Sequence, residues 1–587
     1  MRRRDFVRSA SIAASAYLID PLASGRAEGF ASLYTGPGSK QEERVHFVLD
    51  MVYKNPGEPP PQTAFLDPGH LANWGYSGQV LFSVIEGVAT FDAITPGVLA
   101  HGSEERMWAE KTASHIQKQI ASAKAAHIHC YAWMQLLVFP KAIIQRFKEQ
   151  ICDRQGRIDI ARPVTQRLLR MQLSEIFTRF PDLDGLIIRT GEIYLHDLPY
   201  HTSNGSAQTA PVQANTAIIN GEQSHLEILR LLREEVCVKL NRNIFYRTWD
   251  FGNNFHTNPR YYLAVTEVIR PHPKLVFSVK HQAGDFLRLT PFNPTLMIGK
   301  HRQIVEVECQ LEVYGKGAHP YYVGKGVIDG WEEYAWLMKP CEAKGLRDIA
   351  KHPLFAGIWT WSRGGGWDGP YIKDEFWCAL NARVLSQFAL RPERSEEKIF
   401  AETARFLGLN SNDTVKFREL CLLSSRAVLR GQVTALGAGM DLWWTRDDKL
   451  GALSLADFIS KGVVEGSIAE KANAVGMWKQ IEMLSSSIGS PQSETNTFVR
   501  PSSTYGRMKY AVIQHGWTVM LLGQLGDQSR VYDRPRIKRH IAAYDVAWKE
   551  WQELSATQPS CSTLYKDYSF DHAPGLSAAV ERYRRIV

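Results

Sequence analysis

From about residue 44 to about residue 390 the chain alternates short apolar runs with stretches whose apolar residues recur every three or four positions. The apolar runs are RVHFVLDMVY (44–53), SGQVLFSV (77–84), HIHCYAWM (127–134), DGLIIRT (184–190), NIFYRTW (243–249), KLVFSVK (274–280), IVEVECQLEVY (304–314) and LFAGIWTW (354–361). They have the length and composition of buried strands. The clearest helical patterns between them span 104–126, 165–180 and 224–240. A strand can reach a parallel neighbour only through a crossover, so this alternation predicts βαβ units. Eight such units predict a (β/α)8 TIM barrel over residues 44–391. A doubly wound open sheet is the competing fold. It calls for a Gly-rich phosphate turn after the first strand, and the turn there is Lys54-Asn55-Pro56-Gly57-Glu58, without GxGxxG.

After about residue 392 the pattern becomes helical throughout, which predicts an α-helical C-terminal domain over 392–587. Ser395 followed by Glu396 and Glu397 marks a helix start. The segment SSSIGSPQSETNTFVRPSSTYG (485–506) is expected to be a loop. At the other end, Arg3-Arg4-Asp5-Phe6-Val7 and the weakly apolar residues that follow resemble a twin-arginine export signal, with a small-residue cleavage site at Gly25-Arg26-Ala27. Residues 1–27 are therefore expected to be a signal peptide and the protein periplasmic or secreted, with no membrane insertion after the signal is removed.

The net charge of +8 is spread along the chain without a run of Lys and Arg, which argues against a nucleic-acid partner. The eight cysteines form no CxxC pair and do not sit near His at metal-ligand spacing. No metal and no cofactor is called for. Cys130, Cys237, Cys309 and Cys378 lie inside apolar patterns and read as core thiols.

In a (β/α)8 barrel the active site lies at the C-terminal ends of the strands. Those ends here carry Tyr53, Glu86, Trp133, Arg189, Glu192, Tyr194, Arg247, Trp249, Asp250, Lys280, Asp285, Glu308, Glu312, Trp359 and Trp361. A ring of carboxylates, cations and aromatics suits carbohydrate. Aromatic faces pack on sugar C–H surfaces, and paired carboxylates supply acid and base. Blander roles stay open. Trp359 and Trp361 can fill the barrel top, Asp250 and Glu86 read as solvated loop charges, and of Glu306, Glu308 and Glu312, which share one face, one or two can simply balance nearby Arg and Lys.

Several of these segments resemble the α-glucuronidase family of glycoside hydrolases. They are VFSVKHQAGDF (276–286), IVEVECQLEVYGKGAHPYYVG (304–324), FYRTWDF (245–251), IWTWSRGGGWDGPYIKDEFWCALNARVLSQFA (358–389) and GLIIRTGE (185–192). Lys280 and Asp285 keep the family's five-residue spacing, and Glu312 falls at its strand-seven glutamate, allowing a one-residue gap. Arg189 precedes the acid by three positions rather than the family's four. The family's large N-terminal β-domain is expected to be absent, because the first barrel strand starts near residue 44.

The resemblance implies an exported hydrolase that removes glucuronic or 4-O-methylglucuronic acid from plant-polysaccharide oligosaccharides with inversion. It implies Glu192 as general acid, with Asp285 and Glu312 holding and deprotonating the attacking water. Arg189, Arg247 and Lys280 are expected to meet the uronate carboxylate or to neutralise the site's own acids. Trp133, Tyr194, Trp249 and Trp361 are the further substrate-binding candidates, the Trp residues by stacking on sugar rings. The C-terminal helices are a candidate homodimer surface, as in the family. Two other classes stay open: a glycosidase or lyase for another acidic sugar, such as a pectin or alginate fragment, and a non-catalytic carbohydrate-binding protein.

Overall fold

The computed structural model describes residues 46–53, 62–204, 213–214, 221–249, 255–284, 286, 288–309, 319–363, 376–431, 455–489, 494–558, 561 and 576–587. Eight strands, β1 (Phe47–Val52), β2 (Gly78–Leu81), β3 (His129–Gln135), β4 (Gly185–Arg189), β5 (Asn243–Arg247), β6 (Leu275–Lys280), β7 (Gln303–Glu308) and β8 (Phe355–Arg363), close into one barrel. Each pairs in parallel with its sequence neighbours, and β8 returns to β1. Each of the eight apolar runs thus supplies one strand. The fold is a (β/α)8 barrel followed by helices.

The barrel encloses its own apolar core. Inward residues of alternate positions, among them Leu49, Met51, Val80, Tyr131, Trp133, Ile187, Phe245, Val276, Ile304 and Trp359, form one buried cluster. A second cluster lies between the strands' outer faces and the helices. One local device decides what fills the barrel top. Gly357 has φ +125°, and pairing with β7 shifts register there, Gln303 opposing Phe355 and Ile304 opposing Gly357. The extra residue changes the parity of β8, so Ala356 faces inward below the bulge and Trp359 and Trp361 face inward above it.

Three long helices cover the barrel where the sequence pattern places them: α1 (Glu104–Ala125), α2 (Pro163–Arg179) and α3 (Glu222–Leu232), the last continued by a π-type segment Arg233–Lys239. After β8 come α4 (Phe376–Leu390), α5 (Glu396–Phe406), α6 (Ser411–Gly431), α7 (Val464–Ser487), α8 (Glu494–Ser529), α9 (Arg534–Thr557) and α10 (Leu576–Ile586). The Ser395 hydroxyl caps α5 by accepting from the Lys398 N–H, as its acidic first turn predicts.

The expected loop at 485–506 is corrected by α8, which runs through Pro501. Burial decides it. Val499 and Tyr505 are buried, with Tyr505 edge-on to Trp551 of α9, and the hydroxyls of Ser502 and Ser503 donate to the Phe498 and Val499 carbonyls. Tertiary packing outweighs the local preference of Pro, Gly and Ser. No helix among the described residues is long and apolar enough to cross a membrane. Cys130, Cys237, Cys309 and Cys378 are buried, as their apolar contexts predict.

Candidate active site

Period-two alternation carries the inward face of each strand up to the C-terminal mouth. On β5, Phe245 lies in the barrel core and Arg247 follows two residues on. On β6 the same step leads from Val276 to Ser278 and Lys280, and on β7 from Ile304 to Glu306 and Glu308. The parallel register places Lys280 opposite Glu306, Glu306 opposite Trp359 and Glu308 opposite Trp361. On the far side Gln135 of β3 stands opposite Arg189 of β4.

The centre of this mouth is a buried ion pair. Arg247 Nε and Nη2 donate to the two Glu306 carboxylate oxygens at 2.9 and 2.8 Å, and the Ser278 hydroxyl donates to Glu306 Oε1 at 2.8 Å. Burial works to raise the Glu306 pKa, but Arg247, then Lys280 and Ser278, outweigh it and hold the group below its usual value. Glu306 is therefore an ionised counter-charge, and Arg247 has a partner of its own besides any carboxylate of a substrate. The Arg247 guanidinium also lies over Trp133, 4.7 Å from its ring centre.

Lys280 sits in an aromatic cage, its Nζ 4.2 Å from the Phe286 ring centre and 4.7 Å from those of Trp249 and Trp361. Arg189 lies over Tyr194 at 4.1 Å and Trp133 at 5.3 Å. Such contacts stabilise a cation in a desolvated place. Trp133 and Trp361 are 1% and 2% exposed and Trp249 is half-buried. Trp359 and Trp361 do fill the barrel top, packed against each other and against Trp133. His256 and His281 near the mouth are pushed by burial down to about 3, so both imidazoles are neutral at ordinary pH.

Glu86 corrects the reading of a solvated loop charge. It is wholly buried, its Oε1 accepts from Gln135 Nε2 at 2.9 Å, and its Oε2 has no hydrogen-bond partner among the described residues. Burial raises its pKa to about 7 against the lowering effect of Gln135 and Arg189. Gln135 itself escapes sequence reasoning, although its spacing of two from Trp133 places it on the inward face.

Of the carboxylates singled out in the sequence, Glu192 pairs its backbone with Ala214 in a short antiparallel ribbon, Glu192–Ile193 against Gln213–Ala214. Asp285, Glu312 and Asp250 lie outside the described residues. Arg189, Arg247, Lys280, Trp133, Tyr194, Trp249 and Trp361 are brought to one end of the barrel by the strands and by the Tyr194 turn. Among the described residues no group of three or more His, Cys, Asp or Glu side chains is arranged to hold a metal ion.

No protein-family profile and no curated protein matches the chain. Among solved structures it is similar to a GH138 enzyme targeting the pectin rhamnogalacturonan II, at 12% identity and a TM-score of 0.54, with 92% of this chain and 84% of that one covered. It also matches an O-GlcNAc hydrolase variant of Thermobaculum terrenum (7% identity, TM-score 0.38, 92% and 94% covered). A further match is to CpGH84B (6% identity, TM-score 0.41, 92% and 76% covered). The likeness to the GH138 enzyme shows a shared fold over nearly the whole chain; the two weaker matches carry no argument.

Proposed function

We propose that the chain is a glycoside hydrolase that removes a uronic acid, glucuronic or 4-O-methylglucuronic, from plant-polysaccharide oligosaccharides. The observation that carries this reading is the barrel mouth, where Arg189 and the caged Lys280 flank the buried Arg247–Glu306 pair among Trp and Tyr rings. That is a site for a sugar bearing its own negative charge. In this reading Arg189 and Lys280, on either side of the Arg247–Glu306 pair and each set against aromatic rings, meet the substrate carboxylate. The likeness in fold to a glycoside hydrolase supports the reaction class.

In this mechanism Glu192 protonates the leaving oxygen while Asp285 and Glu312 deprotonate the attacking water. Inversion requires acid and base roughly 6.5–9.5 Å apart. The supporting reasons are the resemblance at 185–192, 276–286 and 304–324 and the placement of strands four, six and seven around one mouth. No cofactor takes part in the proposed reaction. We also propose export through residues 1–27, which cell fractionation of a tagged full chain would test, and dimerisation through the C-terminal helices, testable by sedimentation.

The GH138 likeness favours a second reading, an acidic fragment of pectin as substrate. A panel of glucuronoxylan and pectin oligosaccharides, with the released sugars separated by chromatography, distinguishes the two. The first reading expects glucuronic acid from the xylan members. Release from pectin members alone favours the second. No release from either defeats both.

A further inference from the structure

Gln135 is an amide spent at an inward-facing position of a barrel strand, directly above Trp133. A buried amide is costly unless all its polar atoms are paired, and here they are. Its Nε2 donates to the Tyr194 carbonyl and to Glu86 Oε1, each at 2.9 Å, and its Oε1 accepts the Tyr194 N–H. The side chain thus pairs with both polar groups of residue 194, as a neighbouring strand would. Residue 194 is two positions beyond Glu192, whose backbone pairs with Ala214. The Tyr194 ring covers Arg189.

Glu86 sets the sense of this clamp. Oε1 of a carboxylate, or the carbonyl oxygen of a carboxyl protonated at Oε2, can only accept, so Gln135 must turn its NH2 toward Glu86 and its oxygen toward the Tyr194 N–H. Glu86 is held in turn: Gln172 of α2 donates from Nε2 to the Glu86 carbonyl at 2.9 Å and to the Val138 carbonyl at 3.0 Å. The loops after β2 and β3 are tied together, and through Gln135 they are tied to the turn after β4.

We propose that Gln135 is a positioning residue for the acid Glu192, and that Glu86 fixes the orientation of the Gln135 amide. This rests on the reading of Glu192 as general acid. Proton donation to a leaving oxygen is sensitive to placement. General acid catalysis contributes on the order of 10² to 10⁴ in rate, and a displacement of about 1 Å can cost about 10². The loss is confined to leaving groups that need the proton.

The test compares two substrates of the full chain: a uronosyl oligosaccharide, whose sugar leaving group needs protonation, and the corresponding uronosyl fluoride, whose leaving group needs it far less. For Gln135→Leu we expect kcat on the oligosaccharide to fall about 30-fold or more with KM within about threefold, and kcat on the fluoride to change by less than about threefold. Should that variant not fold, Gln135→Glu, which sets two acids side by side, is compared with the double variant Gln135→Glu/Glu86→Gln. The double variant restores a donor facing an acceptor between the two positions and is expected to recover about tenfold on the oligosaccharide. Equal losses on both substrates, no loss, or no recovery in the double variant overturn the proposal while leaving the hydrolase reading in place. A wild-type protein that cleaves neither substrate overturns the hydrolase reading, and the proposal with it.

Discussion

Two buried carboxylates at the barrel mouth show how environment decides the state of the same group. Glu306 is bound by Arg247 and ionised, whereas Glu86 faces an amide and its pKa rises with burial to about 7. Removing one partner of a buried pair strands the other charge. Glu306→Gln is therefore expected to cost about 3–5 kcal/mol, read as a lower urea midpoint at unchanged slope. Glu86 acts through pH. Its folded pKa lies above the usual 4.5, so its contribution to stability is full below pH 4.5 and is lost as pH rises toward 7. The stability of Glu86→Gln relative to wild type should thus grow by about 3 kcal/mol between those limits and level off above pH 7, measured by denaturant titration at several pH values. In the sequence, the alternation of Glu306 and Glu308 with apolar residues already put them on one face, and a role in balancing Arg was open for either. Glu86 is not legible as buried because the groups packed on it, Gln135 of β3 and Gln172 of α2, share no local pattern with it.

At the scale of elements, the bulge in β8 decides what the barrel contains. A Cβ on Gly357 would lie 1.9 Å from the Phe47 carbonyl oxygen, in the seam where β8 closes on β1, and its φ of +125° suits glycine alone. Gly357→Ala is expected to prevent closure and yield insoluble or protease-sensitive chain, which limited proteolysis of the expressed protein would show. The helix α4 holds the next segment. Asn381 donates from Nδ2 to the Cys309 and Tyr321 carbonyls at 3.0 and 2.9 Å, and its Oδ1 accepts the Val323 N–H at 2.9 Å. It joins Cys309, at the end of β7, to Tyr321 and Val323 further along the chain. Asn381→Leu leaves three buried backbone groups unpaired and is expected to cost about 3 kcal/mol or more in thermal or denaturant unfolding. Strand existence was legible because each run is apolar and bounded by turn residues. The bulge was not, since a glycine in a Trp-rich strand has no unique reading. The start of α8 was hidden because burial of Val499 and Tyr505, not propensity, makes it a helix.

Across the whole molecule, barrel and helices are joined by buried polar contacts. Arg288 makes a two-bond ion pair with Glu333 and donates to the Ser425 carbonyl of α6. Glu396 of α5 is gripped by Arg418 of α6 and accepts from Tyr322, which follows β7. Trp377 of α4 donates to Ser502 of α8. These ties make the helices a backing for the strand-seven and strand-eight side of the mouth. The barrel and its helical continuation could be read from periodicity alone, because alternating strands and helices have few closed arrangements. The ties could not, since they join residues up to 137 positions apart that share no sequence signal.

Hydrolysis of a uronic acid glycoside at this mouth, with Glu192 as its acid, is the reaction proposed for the chain. The most direct measurement follows free uronic acid released from aldouronic oligosaccharides by the wild-type chain and by Glu192→Gln. Release by the wild type and a loss of about 10² or more in the variant are expected. Release of a neutral sugar alone, no release at all, or a variant as active as wild type would contradict the proposed reaction.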